Sequence, residues 1–165
     1  MILQVLLLSG IMVADLMLFM VKILFVRHKG GNIMKEMIYK GSVENGQKVI
    51  DMLDEGIYKG FHYVIVSYGI HPCAYIEIPE GHKLYNASNQ NEFYNIACHG
   101  GINFNTYTGL PFVPIKNPNK GHYIGWSFST VGYDYIFGIC YCGKKWTTKE
   151  IFEEVKNVIE QLAKS

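Results

Sequence analysis

The chain has 165 residues, with 15 basic and 14 acidic side chains and a formal net charge of +1. That is one domain's length with room for a sizeable core. Its basic residues form only a small cluster at Lys22, Arg27, His28 and Lys29, which excludes the basic face a nucleic-acid binder normally shows.

Ile2 to Val26 is overwhelmingly apolar, broken by Gln4, Asp15 and Lys22. At helical rise this stretch is long enough to cross a bilayer. Each Leu, Ile, Val or Phe contributes about −0.3 to −0.6 kcal/mol to insertion, and together they outweigh about +3 for the central Asp15. The basic residues follow the stretch, so the positive-inside rule leaves the domain in the cytoplasm, anchored to the inner membrane by one N-terminal helix. A cleaved signal peptide fits poorly, since no basic n-region or small-residue cleavage site is present. An equal reading is an upstream start, with the true one at Met34 or Met37; a buried helix stands behind both. Gly30-Gly31-Asn32 marks the boundary, giving an apolar segment over 1–31 and a domain over 34–165.

Ser42 to Glu55 carries Val43, Val49, Ile50 and Leu53 among polar residues, which predicts a short amphipathic helix closed by Gly56. Phe61 to Tyr68 is β-branched and aromatic, a strand buried on both faces. Gly69 to Pro72 joins it, as a hairpin, to Cys73–Ile78. There Ala74, Ile76 and Ile78 share one face, and Cys73, Tyr75 and Glu77 the other. Asn86 to Asn91 is a polar loop, and Asn95 to Phe104 forms a strand kinked at its glycine pair. Residues 105–120 make a long irregular connection. His122 to Ser129 and Tyr135 to Cys142 are two more strands around a Gly132 turn. At the end Thr147 caps a helix, Glu150 completes the capping box, and Ile151, Val155, Ile159 and Leu162 form one apolar stripe. These elements predict an α+β fold: a central, mainly antiparallel sheet with a short N-terminal-side helix and a C-terminal amphipathic helix, preceded by the apolar N-terminal helix.

His71 to Phe104 gathers three histidines, two cysteines and an adjacent glycine pair. In His99-Gly100-Gly101 the glycines can turn backbone N–H groups towards a phosphate or carboxylate, with His99 as donor or proton carrier. A bulge or sheet bend explains the same residues equally well. No metal-ligand spacing is present, and Cys98 and His99, being adjacent, point to opposite faces of a strand. No metal or cofactor is therefore expected. The 4 cysteines read as buried strand residues with no secretory cleavage pattern before them, so reduced thiols in a cytosolic domain are expected.

As a set, three segments resemble a family of small proteins common in bacteriophage and prophage genomes. They are His71-Pro-Cys-Ala-Tyr75, Ile78-Pro-Glu-Gly-His82-Lys-Leu-Tyr85 and His99-Gly-Gly-Ile102. Gly125-Trp126 and the helical tail Trp146 to Leu162 follow in the same order. The resemblance covers most of residues 57–162 and none of the apolar N-terminus. Relatives often carry Gly-Phe-Asp-Cys-Ala-His and then Gly-Asp where this chain has Gly125-Trp-Ser-Phe-Ser-Thr130 and Gly132-Tyr-Asp134. Ser127 and Thr130 thus replace an acid and a histidine, which favours ligand binding over catalysis.

The expected function is binding of a small anionic or nucleotide-like molecule by a phage-type protein, extending to sequestration of a host signalling nucleotide. His71, His82, His99, Gly100, Gly101 and Trp126 are the expected pocket residues. Two alternatives stand beside it: a hydrolase using His99 with Cys98 or a metal, and an interaction module presented from the membrane. Self-association is left open by the sequence.

Overall fold

The structure, a computed structural model, describes residues 26–27, 33–36, 43–44, 47–48 and 50–165. The expected apolar N-terminal helix lies outside these residues. No helix among those described is long and apolar enough to cross a membrane.

Two short ladders come first. Strand β1 (Val26–Arg27) pairs with β2 (Ile33–Met34), and β3 (Val43–Glu44) with β4 (Gln47–Lys48). The main sheet follows, with β5 (Asp51–Tyr58), β6 (Phe61–Ser67), β7 (Pro72–Ile78), β8 (Phe104–Thr106) and β9 (His122–Ser127). Its spatial order is β5-β6-β7-β9-β8, antiparallel at every neighbour. One helix, α1 (Thr148–Leu162), completes an α+β fold.

Ser42 to Glu55 corrects the expected N-terminal-side helix. The chain there runs through the β3–β4 ladder and into β5. Four apolar residues among polar ones suit a half-buried strand as well as a helix, and turn chemistry decides between them. Asn45-Gly46, between β3 and β4 in sequence, is a strong two-residue hairpin signal. Lys59 and Gly60 both have positive φ, 48° and 86°, as a type I′ turn demands. Tyr58 therefore pairs with Phe61, and Gly56 lies inside a strand opposite Tyr63 rather than at a helix end.

The sheet has two unlike faces. Phe61, Tyr63, Ile65, Ala74, Ile76, Ile78, Ile124 and Trp126 point towards α1, which buries Ile151, Phe152, Val155, Val158, Ile159 and Leu162 against them. Val64, Val66, Cys73, Tyr75 and Tyr123 point the other way, and Leu110, Val113 and Ile115 of the long connection cover them. This alternation follows from the period of two along each strand. Residues 33–36 belong to the folded unit. Met34 is buried in the helix-side core, the Lys35 N–H donates to Leu53 O at 2.8 Å, and Thr148 Oγ1 donates to Lys35 O.

Two expected strands do not form. Residues 95–103 are turns and irregular chain, and only Phe104–Thr106 pairs, against β9. Residues 135–142 make isolated bridges, Ile136 with Cys140 and Asp134 with Lys144. Helix α1 begins as expected, with Thr147 Oγ1 accepting from the Glu150 N–H and the Glu150 carboxylate accepting from the Thr147 N–H. Replacing Thr147 with Ala should destabilise the protein by about 1 kcal/mol. Urea denaturation followed by the helical dichroism band measures this, and an unchanged midpoint would count against the cap.

Candidate functional site

The expected pocket residues sit at separate places. His71 lies in the β6–β7 turn, its Nδ1 3.3 Å from Pro72 O and 3.6 Å from Cys73 Sγ. His82 sits at the C-terminal end of α1. Its Nδ1 accepts from the Leu84 N–H, so Nε2 carries the proton and donates to Leu162 O at 3.0 Å. That bond joins those from the Ser165 N–H and hydroxyl on the same carbonyl of the last helical turn. Trp126 is buried in the core opposite Ala74, and its indole N–H finds no hydrogen-bond acceptor. None of these three joins the His99 segment.

Around His99, three segments singled out in the sequence do converge. His99 Nε2 donates to Asp134 Oδ2 at 2.8 Å. Asp134 is fully buried and also accepts the Thr130 N–H at 2.7 Å and the Trp146 indole N–H at 2.8 Å. The imidazole stacks on Phe128, centroids 5.1 Å apart and nearly parallel, with Trp146 edge-on at 5.0 Å. The His99 backbone N–H donates to the Glu154 carboxylate of α1. Gly100 faces Thr130 and Ser127, and Ser127 Oγ meets Ser129 Oγ at 2.8 Å and Asn103 Nδ2 at 3.1 Å. Thr130 therefore turns its hydroxyl towards Gly100, while Ser127 faces it through its backbone carbonyl.

The glycine pair forms a turn. Gly100 and Gly101 have φ of +67° and +76°, a conformation side chains disfavour, and the Gly101 N–H is spent on Cys98 O at 3.1 Å. An open cleft of about 380 Å³ runs alongside, lined by Phe93, Tyr94, Ile96, Gly100, Gly101 and Ile102 together with Asn91. Cys98 is no ready nucleophile: burial, with the Glu154 charge adding to it, pushes its thiol up to about 12, and the thiolate is the reactive form. Among the described residues no group of three or more His, Cys, Asp or Glu side chains is arranged to hold a metal ion.

A second cluster, on the opposite sheet face, was missed in the sequence. His62 of β6 bonds through Nε2 to Glu55 Oε1 of β5 at 2.9 Å. Its Nδ1 lies 3.1 Å from Tyr123 Oη of β9 and 3.3 Å from Glu77 Oε2 of β7. Tyr123 Oη donates to Glu77 Oε2 at 3.1 Å. Ionised carboxylates only accept. The phenol proton is thus committed to Glu77, and the His62 ring lies between two carboxylates, bonded to Glu55 on one side and meeting Tyr123 Oη and Glu77 on the other. Burial, and then the Glu77 charge, pushes the Tyr123 phenol well above its ordinary value, which keeps that proton in place.

These residues floor a cleft of about 420 Å³, completed by Ile57, Ile115, Lys116, Asn117 and Lys120. A smaller apolar cleft of about 210 Å³ lies on the same face, among Tyr68, Tyr75, Phe104, Leu110 and Phe112. The available sequence signal was a histidine within an apolar strand, facing opposite to Phe61 and Tyr63. Reading Phe61–Tyr68 as buried on both faces concealed it.

No match emerges from comparison with known proteins: no family model, no curated protein and no solved structure is similar to this chain.

Burial alone would raise the Asp134 carboxyl, but Trp146, His99 and the Thr130 N–H outweigh it and hold the group below its ordinary 3.8. A carboxyl depressed in the folded state contributes stability that is complete above 3.8 and lost as pH falls through the folded value. Asp134→Asn should cost about 2–4 kcal/mol, because an amide leaves a donor facing donors, and should flatten the acid limb of stability against pH. Urea midpoints of both proteins from pH 6 to about pH 2 test this; an equally steep limb in the variant would refute it.

Proposed function

We propose that the protein binds a small anionic ligand, phosphorylated or nucleotide-like, in the cleft floored by Glu55, His62, Glu77 and Tyr123. The observation that carries this reading is the pair of lysines on its wall. Lys116 and Lys120 line the cleft, and neither makes an ion pair with another described residue. The acids of the floor, by contrast, are already bridged by His62 and Tyr123. Two unpaired ammonium groups beside a concave surface offer charge-assisted hydrogen bonds to a phosphate or carboxylate. A carboxylate can accept several hydrogen bonds, which suits the hydroxyl donors of a sugar. Ile57 and Ile115 supply an apolar wall for its carbon face. The motif resemblance supports reading such binding as sequestration of a host signalling nucleotide, without turnover.

The second reading, hydrolysis, draws on the His99–Asp134 pair, which holds an imidazole in one orientation while no described residue bonds its Nδ1. It requires a water or hydroxyl nucleophile, given the state of Cys98, and turnover that disappears in His99→Ala.

Calorimetric titration of the full chain with ribose phosphate, AMP and inorganic phosphate tests the proposal. One phosphorylated ligand should bind per chain. Lys116→Ala combined with Lys120→Ala should weaken it by about ten- to a hundred-fold. Gly121→Ala should weaken it too, since a β-carbon there would stand 2.6 Å from Glu77 Oε1. His99→Ala should leave it unchanged. Loss with His99→Ala but not with the lysine pair would move the site to the Gly100–Gly101 cleft. Failure of every probe to bind would overturn the proposal.

A further inference from the structure

Cys140 and Cys142 lie in the tight loop between the Phe128 segment and α1, on the opposite side of Asp134 in sequence from His99. The loop is closed on itself. The Ile139 and Cys140 N–H groups both donate to Ile136 O, at 3.0 and 2.8 Å, and the Ile136 N–H donates back to Cys140 O at 2.8 Å. This closure turns the two side chains the same way and leaves their sulfurs 3.8 Å apart. Both thiols are free; Cys142 is exposed and Cys140 sits just beneath it.

We infer that Cys140 and Cys142 form a two-coordinate site for a soft, thiophilic monovalent metal ion of the copper(I) class. The first support is the surroundings of the Cys140 sulfur, on which the backbone N–H groups of Gly132, Cys142 and Gly143 converge. Donation from the residues two and three places further along wraps the chain around a sulfur. Concave sets of backbone N–H groups of this kind favour an anion, thiolate-bound clusters included. The ligating form is the thiolate, and backbone N–H groups aimed at the sulfur favour that form.

The second support is the donor count. Thiolates suit both zinc and copper(I), but structural zinc takes four ligands, usually sulfur and nitrogen, whereas copper(I) can be held by two. No third His, Cys, Asp or Glu joins the pair among the described residues. Two sulfurs are what the described residues supply here, and an ion satisfied by two sulfurs is what they can hold. Exposure of Cys142 gives the ion its way in, and Lys144 and Lys145 follow directly in sequence. Lys144 is drawn to Glu150 at 2.9 Å and lies over the Trp146 ring, while Lys145 lies over the Tyr135 ring. Their positive field offsets the net negative charge of a copper(I) dithiolate. Binding exchanges the thiol protons for one metal ion; no electron is transferred and no sulfur–sulfur bond forms.

The test is anaerobic titration of the reduced full-length chain with copper(I) held by the chromogenic chelator bathocuproine disulfonate. The wild type should withdraw one equivalent per chain, and X-ray absorption should report two sulfur neighbours. Cys142→Ser, at an exposed position, should abolish that equivalent while leaving the thermal unfolding midpoint unchanged. Cys98→Ser should retain it. Copper uptake by Cys142→Ser equal to wild type would overturn the assignment. So would a chelator that keeps all its copper, or zinc binding one-to-one as tightly as copper(I).

Discussion

The carboxylate of Asp134 has left water entirely, and donors from three chain segments take water's place. A buried charge is tolerated only when its hydrogen bonds are made and its field is answered. Here the Thr130 amide, the His99 imidazole and the Trp146 indole answer it together. Removing any one of them returns part of the desolvation cost to the fold. The consequence is geometric: the turn at His99, the loop after β9 and the approach to α1 must all arrive at one point. Phe128 and Trp146 then close around the imidazole and screen it from solvent. The histidine that looked most like a reacting group in the sequence is thereby held as a structural donor, its backbone also tied to α1.

The two faces of the sheet divide the work of the molecule. The helix side is a close-packed layer dominated by Ile, Val, Phe and Trp. The other side is covered by irregular chain, which cannot interdigitate with strands as a helix can. Where it lifts away it leaves concave ground. Polar side chains from four different strands meet there, and none of them is adjacent to another in sequence.

That difference also explains what the residues disclosed by themselves. The C-terminal helix was legible because its cap, its capping box and its apolar stripe are all local. Strands β6, β7 and β9 were legible for the same reason, through β-branched and aromatic composition or clean alternation within seven residues or fewer. Ser42–Glu55 was not, because its apolar spacing serves helix and strand alike, and the turn residues that decide it lie outside the periodic part. Residues 135–142 carry strand-like composition, yet the pull of Asp134 on Thr130 and Trp146 folds them into a closed loop. The pairing of His99 with Asp134 spans 35 residues, and no local pattern in the sequence announced it. His62, Glu55, Glu77 and Tyr123 could be joined only by the register of β5, β6, β7 and β9, which no single stretch of sequence expresses.

The ordering of strands has a kinetic side. Strands β5, β6 and β7 follow one another through two short turns, so their pairing costs little chain entropy. Strand β9 is different, for it reaches β7 only after the whole excursion from Pro79 to Gly121 has been laid down. Closing that long loop is the expensive step of the topology, and the excursion is also what roofs the clefts beside β7. The hairpins can therefore form early, but the concave surface exists only once the longest loop has closed. Groups that bind there act on contacts made late, and so on how slowly the finished molecule comes apart rather than on how quickly it assembles.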